Sequence, residues 1–161
     1  MRVREDLAEM PNGKTTIYGV IECSPAVGVL PFVSDDQVLL VRQYRYVFGE
    51  NQRWEMPTGG MKPGETLEEA ARRELREEVG YNATDLQHIS TYFTSKSIMH
   101  EVAYLYLGRG LSKVEAIPDE TEFLDVGVFA FDQVLKMVLG SEIRDSMTVI
   151  AVLHAARVFQ M

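Results

Sequence analysis

Three glutamates and an arginine lie within six residues of the chain, in the order Arg73, Glu74, Glu77 and Glu78. On a helix the three glutamates occupy positions i, i+3 and i+4, so their carboxylates share one face. Like charges at this spacing repel one another, and a bound divalent cation would relieve the repulsion. Arg73 lies four residues before Glu77, where its guanidinium can hold and orient that carboxylate. The spacing therefore predicts a metal site with oxygen ligands, which Mg²⁺ and Mn²⁺ prefer.

Residues on both sides extend this pattern to G-x5-E-x7-R-E-x2-E-E-x-G, from Gly59 to Gly80. The glycine-rich residues 58–60 let the backbone approach the same site, and a carbonyl oxygen there could complete the metal shell. Such a site would bridge a pyrophosphate and activate a water for attack on phosphorus. The alternative is a solvated, charged surface helix, which the R-E-x2-E-E fragment alone favours. The complete pattern favours the metal site.

Residues 59–81 resemble the Nudix box, the signature of hydrolases that cleave nucleoside diphosphates linked to another moiety. The match is complete except at Tyr81, where the family usually has an aliphatic residue that packs behind the helix. The resemblance implies a Nudix-type α/β/α sandwich and Mg²⁺-dependent cleavage of a pyrophosphate. It also implies the roles of the metal-site residues: Glu74 and Glu78 as principal ligands, Glu77 as an additional or water-mediated ligand, the Thr58 carbonyl as a backbone ligand and Arg73 as an orienting partner.

Outside this stretch the chain is similar to the ADP-ribose pyrophosphatase and nucleoside-diphosphate-sugar branch of the family. The matching segments are residues 40–45, 54–59, 119–122, 131–140 and 143–146. In that branch a glutamate from the loop before the last strand acts as general base on the attacking water. The resemblance implies this role for Glu120, with Glu122 as the alternative or as a further metal contact. A purely polar loop is the other interpretation of this segment.

Five further residues are candidates for substrate binding. Arg45 matches a substrate-binding arginine of the branch, and its guanidinium suits phosphate or ribose oxygens. Arg42 could serve similarly or be a surface charge, and Glu55 could bind a base or ribose or pair with an arginine of the fold. Lys96 could contact a phosphate, and Glu101 could reach the active site, act as the base or cap a strand. The segment that holds these last two departs from the branch pattern, which leaves the second moiety of the substrate open.

Length and composition limit the classes of function. The 161 residues fit one domain, 1–161, in which residues 1–22 form an N-terminal hairpin. The net charge of −8 argues against a nucleic-acid partner, which would require a basic face. No apolar run approaches the length of a membrane span, and the polar start is unlike a signal peptide. The single cysteine, Cys23, favours a small buried residue in a strand of a cytoplasmic protein.

Periodicity and cap residues predict strands first, then a helix, then strands and two more helices. The hairpin turns at residues 11–13, and residues 26–33 and 38–44 read as a pair of central strands. Thr66 and Glu69 form a capping box for the glutamate helix, which Gly80 ends. The remaining expectations are strands at residues 88–93, 101–107 and 124–131, a helix at 133–139 capped by Asp132 and ended by Gly140, and a helix capped by Ser146 that runs to Phe159.

The expected fold is α+β, with a mixed β-sheet between helices. The leading functional hypothesis is Mg²⁺- or Mn²⁺-dependent hydrolysis of ADP-ribose or another nucleoside diphosphate sugar, giving a nucleoside monophosphate and a sugar phosphate. The alternatives are a nucleoside triphosphate or dinucleoside polyphosphate hydrolase, or a nucleotide-sensing module without catalysis. The expected partner is a small nucleotide, with neither nucleic acid nor membrane. The resemblance also implies a homodimer, since the N-terminal hairpin could pair between subunits.

Overall fold

The computed structural model describes residues 1–49, 53–115 and 124–158. Its strands are β1 (Arg2–Glu9), β2 (Thr15–Glu22), β3 (Ala26–Pro31), β4 (Gln37–Gln43), β5 (Thr58–Gly60), β6 (Tyr81–Phe93), β7 (Met99–His100), β8 (Val102–Lys113) and β9 (Leu124–Ala130). Its helices are α1 (Leu67–Val79), α2 (Phe131–Leu139) and α3 (Ser146–Val158), with a short 3₁₀ helix at Tyr46–Phe48. Among the described residues, no helix combines the length and apolar character needed to cross a bilayer.

The strands form three sheets. The hairpin β1–β2 is antiparallel and continues to β7, while the largest sheet has the order β5-β3-β8-β6. In that sheet β3 and β8 are parallel and the other pairs are antiparallel, which confirms the prediction of a mixed sheet. The third sheet pairs β4 with β9. Residues 26–33 and 38–44 were expected to pair as central strands, but β3 and β4 belong to different sheets and an isolated bridge, Phe32 with Val38, joins them.

Alternation along β3 explains the layered arrangement, because successive side chains of a strand point to opposite faces. Val27 and Val29 lie in the same apolar cluster as Ala71 and Leu75 of α1. Leu30 lies in the other cluster, with residues of α2 and α3. Helices therefore cover both faces of the strand layer, which gives the expected α/β/α sandwich.

The helix α1 is specified by local sequence signals. The Thr66 side chain accepts from the Glu69 amide while the Glu69 side chain accepts from the Thr66 amide, so the capping box is present. Gly80 follows the helix with φ 70°, a left-handed conformation that glycine adopts without strain. Ala70, Ala71 and the remaining apolar side chains of the predicted stripe are buried or half-buried against the sheet.

Two predicted caps are wrong. Asp132 lies inside α2, which begins at Phe131; the Phe131 amide donates to the Asp36 carbonyl oxygen at 2.7 Å. Asp145, not Ser146, caps α3, because its carboxylate accepts from the Thr148 amide at 2.7 Å. The first amide of α2 is thus satisfied by a distant backbone carbonyl, whereas the first turn of α3 is capped by the side chain one residue before the predicted position.

The placement of Cys23 also differs from the prediction. It follows β2 instead of lying within a strand, and it is half-buried. Its amide donates to the His100 carbonyl oxygen at 3.2 Å, so its backbone ties the end of β2 to β7.

Candidate active site

The helix α1 and the strand β5 form the walls of the candidate site. Glu74 and Glu78, one turn apart on α1, are only 8% and 5% exposed, whereas Glu77 is half-buried. A Cβ atom at Gly59 would lie 2.0 Å from Glu74 Oε1, so only glycine lets β5 approach the helix this closely. The predicted shared face of the glutamates is therefore present, and it is directed at the glycine-rich strand.

Arg73 is the centre of the charge network. Its guanidinium donates to Glu65 at 2.7 and 3.0 Å, to Glu74 at 2.6 Å, to Glu77 at 2.9 Å and to the Gly60 carbonyl oxygen at 2.9 Å. Hydrogen bonds from Arg73 and from the Lys62 amide lower the pKa of Glu65 to about 2. The same carboxylates raise the pKa of Arg73. The arginine orients three carboxylates at once, where the spacing predicted only Glu77.

Glu78 is bonded to the opposite wall of the site. Its Oε2 accepts from the Thr58 amide at 3.2 Å, which joins α1 to the first residue of β5. Thr58 in turn pairs with Gly28 of β3, and the Val29 amide donates to the Pro57 carbonyl oxygen at 3.0 Å. The backbone around Thr58 is thus fixed from two directions, next to a buried carboxylate.

The donor chemistry of this cluster fits a hard divalent cation. Carboxylates of α1 and backbone carbonyls of β5 are oxygen ligands, which Mg²⁺ and Mn²⁺ accept. In the conformation shown, the described part of the chain contains no group of three or more acidic, histidine or cysteine side chains placed to hold a metal ion. In this conformation Arg73 Nη1 donates to one oxygen of Glu74 and to one oxygen of Glu77. A metal ion bound by either of these two oxygens would compete with Arg73 for it.

Arg45 and Glu55 form an ion pair separate from the Arg73 network. The guanidinium of Arg45 donates to Glu55 Oε1 through two nitrogens, at 3.0 and 2.5 Å. Burial raises the pKa of Glu55, and the adjacent Arg45 opposes that shift. Backbone hydrogen bonds between Glu55 and Val41, at 2.8 and 2.9 Å, hold Glu55 beside β4, close to the end of the strand that precedes Arg45. Glu55 therefore pairs with an arginine of the fold, Arg45. The Arg45 side chain itself remains partly exposed.

Arg42 contacts different residues. It lies on β4 and donates to Asp125 of β9 at 2.8 and 3.2 Å, and its guanidinium stacks 5.0 Å from the centre of the Trp54 ring. The side chains of Arg42 and Asp125 are 44% and 66% exposed, so water competes for this pair.

The remaining candidates lie further along the chain. Lys96 is exposed between β6 and β7, and the half-buried Glu101 lies between β7 and β8. Burial raises the pKa of Tyr92, and the carboxylates of Asp145 and Glu101 act in the same direction. The predicted general bases, Glu120 and Glu122, lie outside the described residues.

One part of the site was missed from the sequence. Thr148 of α3 is completely buried and accepts from the Met56 amide at 2.9 Å, two residues before Thr58. The residues Asp145-x-x-Thr148 carry a helix-cap signal that could have been read. That signal predicts where a helix starts, but it contains no information about a bond to a distant strand.

Comparisons with known proteins agree with the geometry. A profile of the NUDIX domain matches residues 24–148. The chain is 34% identical over 154 residues to the methanol dehydrogenase activator of Bacillus methanolicus, covering 94% of this chain and 83% of that protein. It is 34% identical over 146 residues to the ADP-ribose pyrophosphatase of Bacillus subtilis (strain 168), covering 89% and 78% respectively. A crystal structure of an ADP compounds hydrolase superposes with a TM-score of 0.82 at 26% identity, covering 94% of this chain and 82% of that one.

Proposed function

Because the chain belongs to the NUDIX domain family and is a pyrophosphohydrolase, we propose that it hydrolyses ADP-ribose or a related nucleoside diphosphate sugar with Mg²⁺ or Mn²⁺. Water attacks one phosphorus of the pyrophosphate, and the bond from that phosphorus to the bridging oxygen breaks. The products are a nucleoside monophosphate and a sugar phosphate. The observation that carries the proposal is the pair of buried carboxylates, Glu74 and Glu78, directed at the glycine-rich strand β5.

Residues of α1 and β5 are assigned to the metal. Glu74, Glu78 and the Thr58 carbonyl hold it, Glu77 is a further or water-mediated ligand, and Arg73 orients the carboxylates. A divalent cation bound there would neutralise the charge of the pyrophosphate and lower the pKa of the attacking water. Burial of Glu74 and Glu78 supports this assignment, because two buried carboxylates one turn apart are costly, and the single charge of Arg73 is shared among Glu65, Glu74 and Glu77.

Other residues are assigned to the substrate and to proton transfer. Glu120 takes the proton of the attacking water, with Glu122 as the alternative. Arg45 with Glu55, and also Arg42, Lys96 and Glu101, contact the nucleotide and its second moiety. For Arg45 and Glu55 the support is their ion pair, in which two guanidinium nitrogens donate to the same Glu55 oxygen and pre-orient the guanidinium for phosphate or ribose oxygens. Separate glutamine variants at positions 120 and 122 test the base: the true base variant binds Mn²⁺ normally but turns over slowly.

The enzyme is proposed to act as a cytoplasmic homodimer. Support for the dimer comes from the hairpin, where Val3, Leu7 and Ile17 are 68%, 75% and 64% exposed on one face of β1 and β2. Apolar side chains in such a row are typical of a surface that another chain covers. A monomer mass in sedimentation equilibrium would remove this part of the proposal.

The experiment that tests the function combines a substrate panel with one matched pair of variants. ADP-ribose, GDP-mannose, UDP-glucose, diadenosine polyphosphates and nucleoside triphosphates are each incubated with Mg²⁺ or Mn²⁺, and the products are separated. We expect AMP and ribose 5-phosphate from ADP-ribose; pyrophosphate released from triphosphates as the main product would instead assign the triphosphate reaction. Glu78→Gln should lower kcat by orders of magnitude with little loss of folding.

Glu68→Gln is the control for this variant. Glu68 is an exposed residue of the same helix that pairs with Arg72, so the same chemical change should leave kcat near wild type. Wild-type turnover in Glu78→Gln at saturating Mg²⁺ would refute the assigned role of Glu78.

A further inference from the structure

We propose that Thr148 of α3 is a positioning residue for the metal site, which it controls through the Met56 amide. The inference rests on the proposed function, since it concerns how the metal-holding backbone is kept in place. Thr148 acts indirectly, through the strand residues that follow Met56.

Few polar side chains of the described residues are buried, and all of them lie against the same backbone segment. In the described part of the chain the buried polar residues are Gln43, Glu74, Glu78 and Thr148. All four contact the 55–59 segment, which leads from the Glu55 carboxylate into the glycines of β5. Buried polar groups are costly unless they are hydrogen-bonded, so their collection on one segment indicates that its exact position matters.

The four contacts are distributed along the segment. Gln43 lies beside the Glu55 carboxylate at one end, where it acts to lower the pKa of that carboxyl, and the Glu74 carboxylate packs against Gly59 at the other. Between these, two backbone amides are bound by side chains. The Met56 amide donates to Thr148 Oγ1 at 2.9 Å, and the Thr58 amide donates to Glu78 Oε2 at 3.2 Å.

The two bound amides are held from opposite layers of the sandwich. Glu78 belongs to α1 on one face of the strand layer, while Thr148 belongs to α3 in the other apolar cluster. The Thr148 hydroxyl is itself fixed, because it donates to Asp145 Oδ2 at 2.7 Å while it accepts from Met56. One buried hydroxyl therefore ties the capped end of α3 to the backbone two residues before Thr58.

A shift of this backbone would disturb both proposed functions of the segment, metal binding and substrate binding. Thr58 would change its distance to Glu78 and to the metal, and Glu55 would change its distance to Arg45. Partners that orient metal ligands typically contribute 10–100-fold in metal affinity or activity. Loss of the Thr148 hydroxyl should therefore weaken metal binding even when the protein stays folded.

The test uses Thr148→Val, which keeps the side-chain shape and removes the hydroxyl, beside Thr148→Ser, which restores it. Val152→Ala is the matched control for simple destabilisation, because Val152 is equally buried on the same helix. Mn²⁺ affinity is measured by electron paramagnetic resonance, well below each melting temperature. Hydrolysis of ADP-ribose is measured in parallel as a function of Mg²⁺ concentration.

We expect Thr148→Val to raise the Kd for Mn²⁺ about 10-fold or more, and to raise the Mg²⁺ concentration for half-maximal activity in proportion. Thr148→Ser should restore both values, and Val152→Ala should change melting temperature alone. An unchanged Mn²⁺ Kd in Thr148→Val, or an equal loss in Val152→Ala, overturns the inference. If the valine variant does not fold, Thr148→Ala and Thr148→Ser supply the same comparison.

The two proposals fail in different ways. If the wild-type protein neither binds Mn²⁺ nor hydrolyses any substrate of the panel, the proposed function fails. If the wild-type protein does both and Thr148→Val is unaffected, only the positioning role of Thr148 fails.

Discussion

Replacement of Gly59 by alanine should separate the geometry of the site from the stability of the fold. A Cβ at this position would lie 2.0 Å from Glu74 Oε1 and 2.1 Å from Glu74 Cδ, whereas Cβ contacts below 3.0 Å are essentially never observed. The carboxylate must therefore retreat by about 1 Å or more. Because it is the far end of a flexible side chain, it can do so at small cost to folding.

The cost should instead fall on catalysis. Glu74 accepts from Arg73 at 2.6 Å, so its displacement also disturbs the network that orients Glu65 and Glu77. A misplacement of about 1 Å in a catalytic constellation can lower the rate on the order of 100-fold. We expect Gly59→Ala to lose about that much kcat at saturating Mg²⁺, with a melting temperature close to wild type.

Gly60→Ala is the neighbouring control. A Cβ at Gly60 meets nothing within 4 Å, and the residue is exposed. The assay compares kcat for ADP-ribose, Mn²⁺ affinity and thermal unfolding in both variants. Wild-type kcat and Mn²⁺ affinity in Gly59→Ala would refute the assignment of Glu74 to the metal; equal losses in both variants would show that β5 tolerates no side chain, whatever Glu74 does.

The remaining predictions concern the charges around this centre. Since hydrogen bonds in the folded state lower the pKa of Glu65 from 4.5 to about 2, its ionisation stabilises the fold above pH 4.5, and that contribution is lost as the pH falls toward 2. The difference in unfolding free energy between wild type and Glu65→Gln, measured by urea titration, should therefore shrink across this range; a constant difference would contradict the bond to Arg73. Arg42→Ala and Asp125→Ala should each lower the unfolding free energy by about 0.2–1 kcal/mol, because the pair is exposed. Only Arg42→Ala should also raise KM for ADP-ribose, and equal KM values in the two variants would leave Arg42 a purely structural role.

The sequence predicted the features that depend on neighbours in the chain. The shared face of Glu74, Glu77 and Glu78, the capping box at Thr66 and the stop at Gly80 all follow from helix geometry over a few residues. The hairpin and the order of strands and helices were predicted for the same reason. The two wrong caps, at Asp132 and Ser146, mark the limit of such signals. The first amide of α2 is bound by the distant Asp36 carbonyl, and the adjacent Asp145 caps α3 in place of Ser146.

Tertiary structure alone decided which distant residues meet at the site. The sequence placed Arg73 beside Glu77, but only the fold brings Glu65 and the Gly60 carbonyl to the same guanidinium. Likewise, the bond from the Met56 amide to Thr148 joins residues 92 positions apart, and no local pattern encodes it. Local geometry fixes which side chains share a face, whereas the packing of both helix layers on the strands fixes what that face meets.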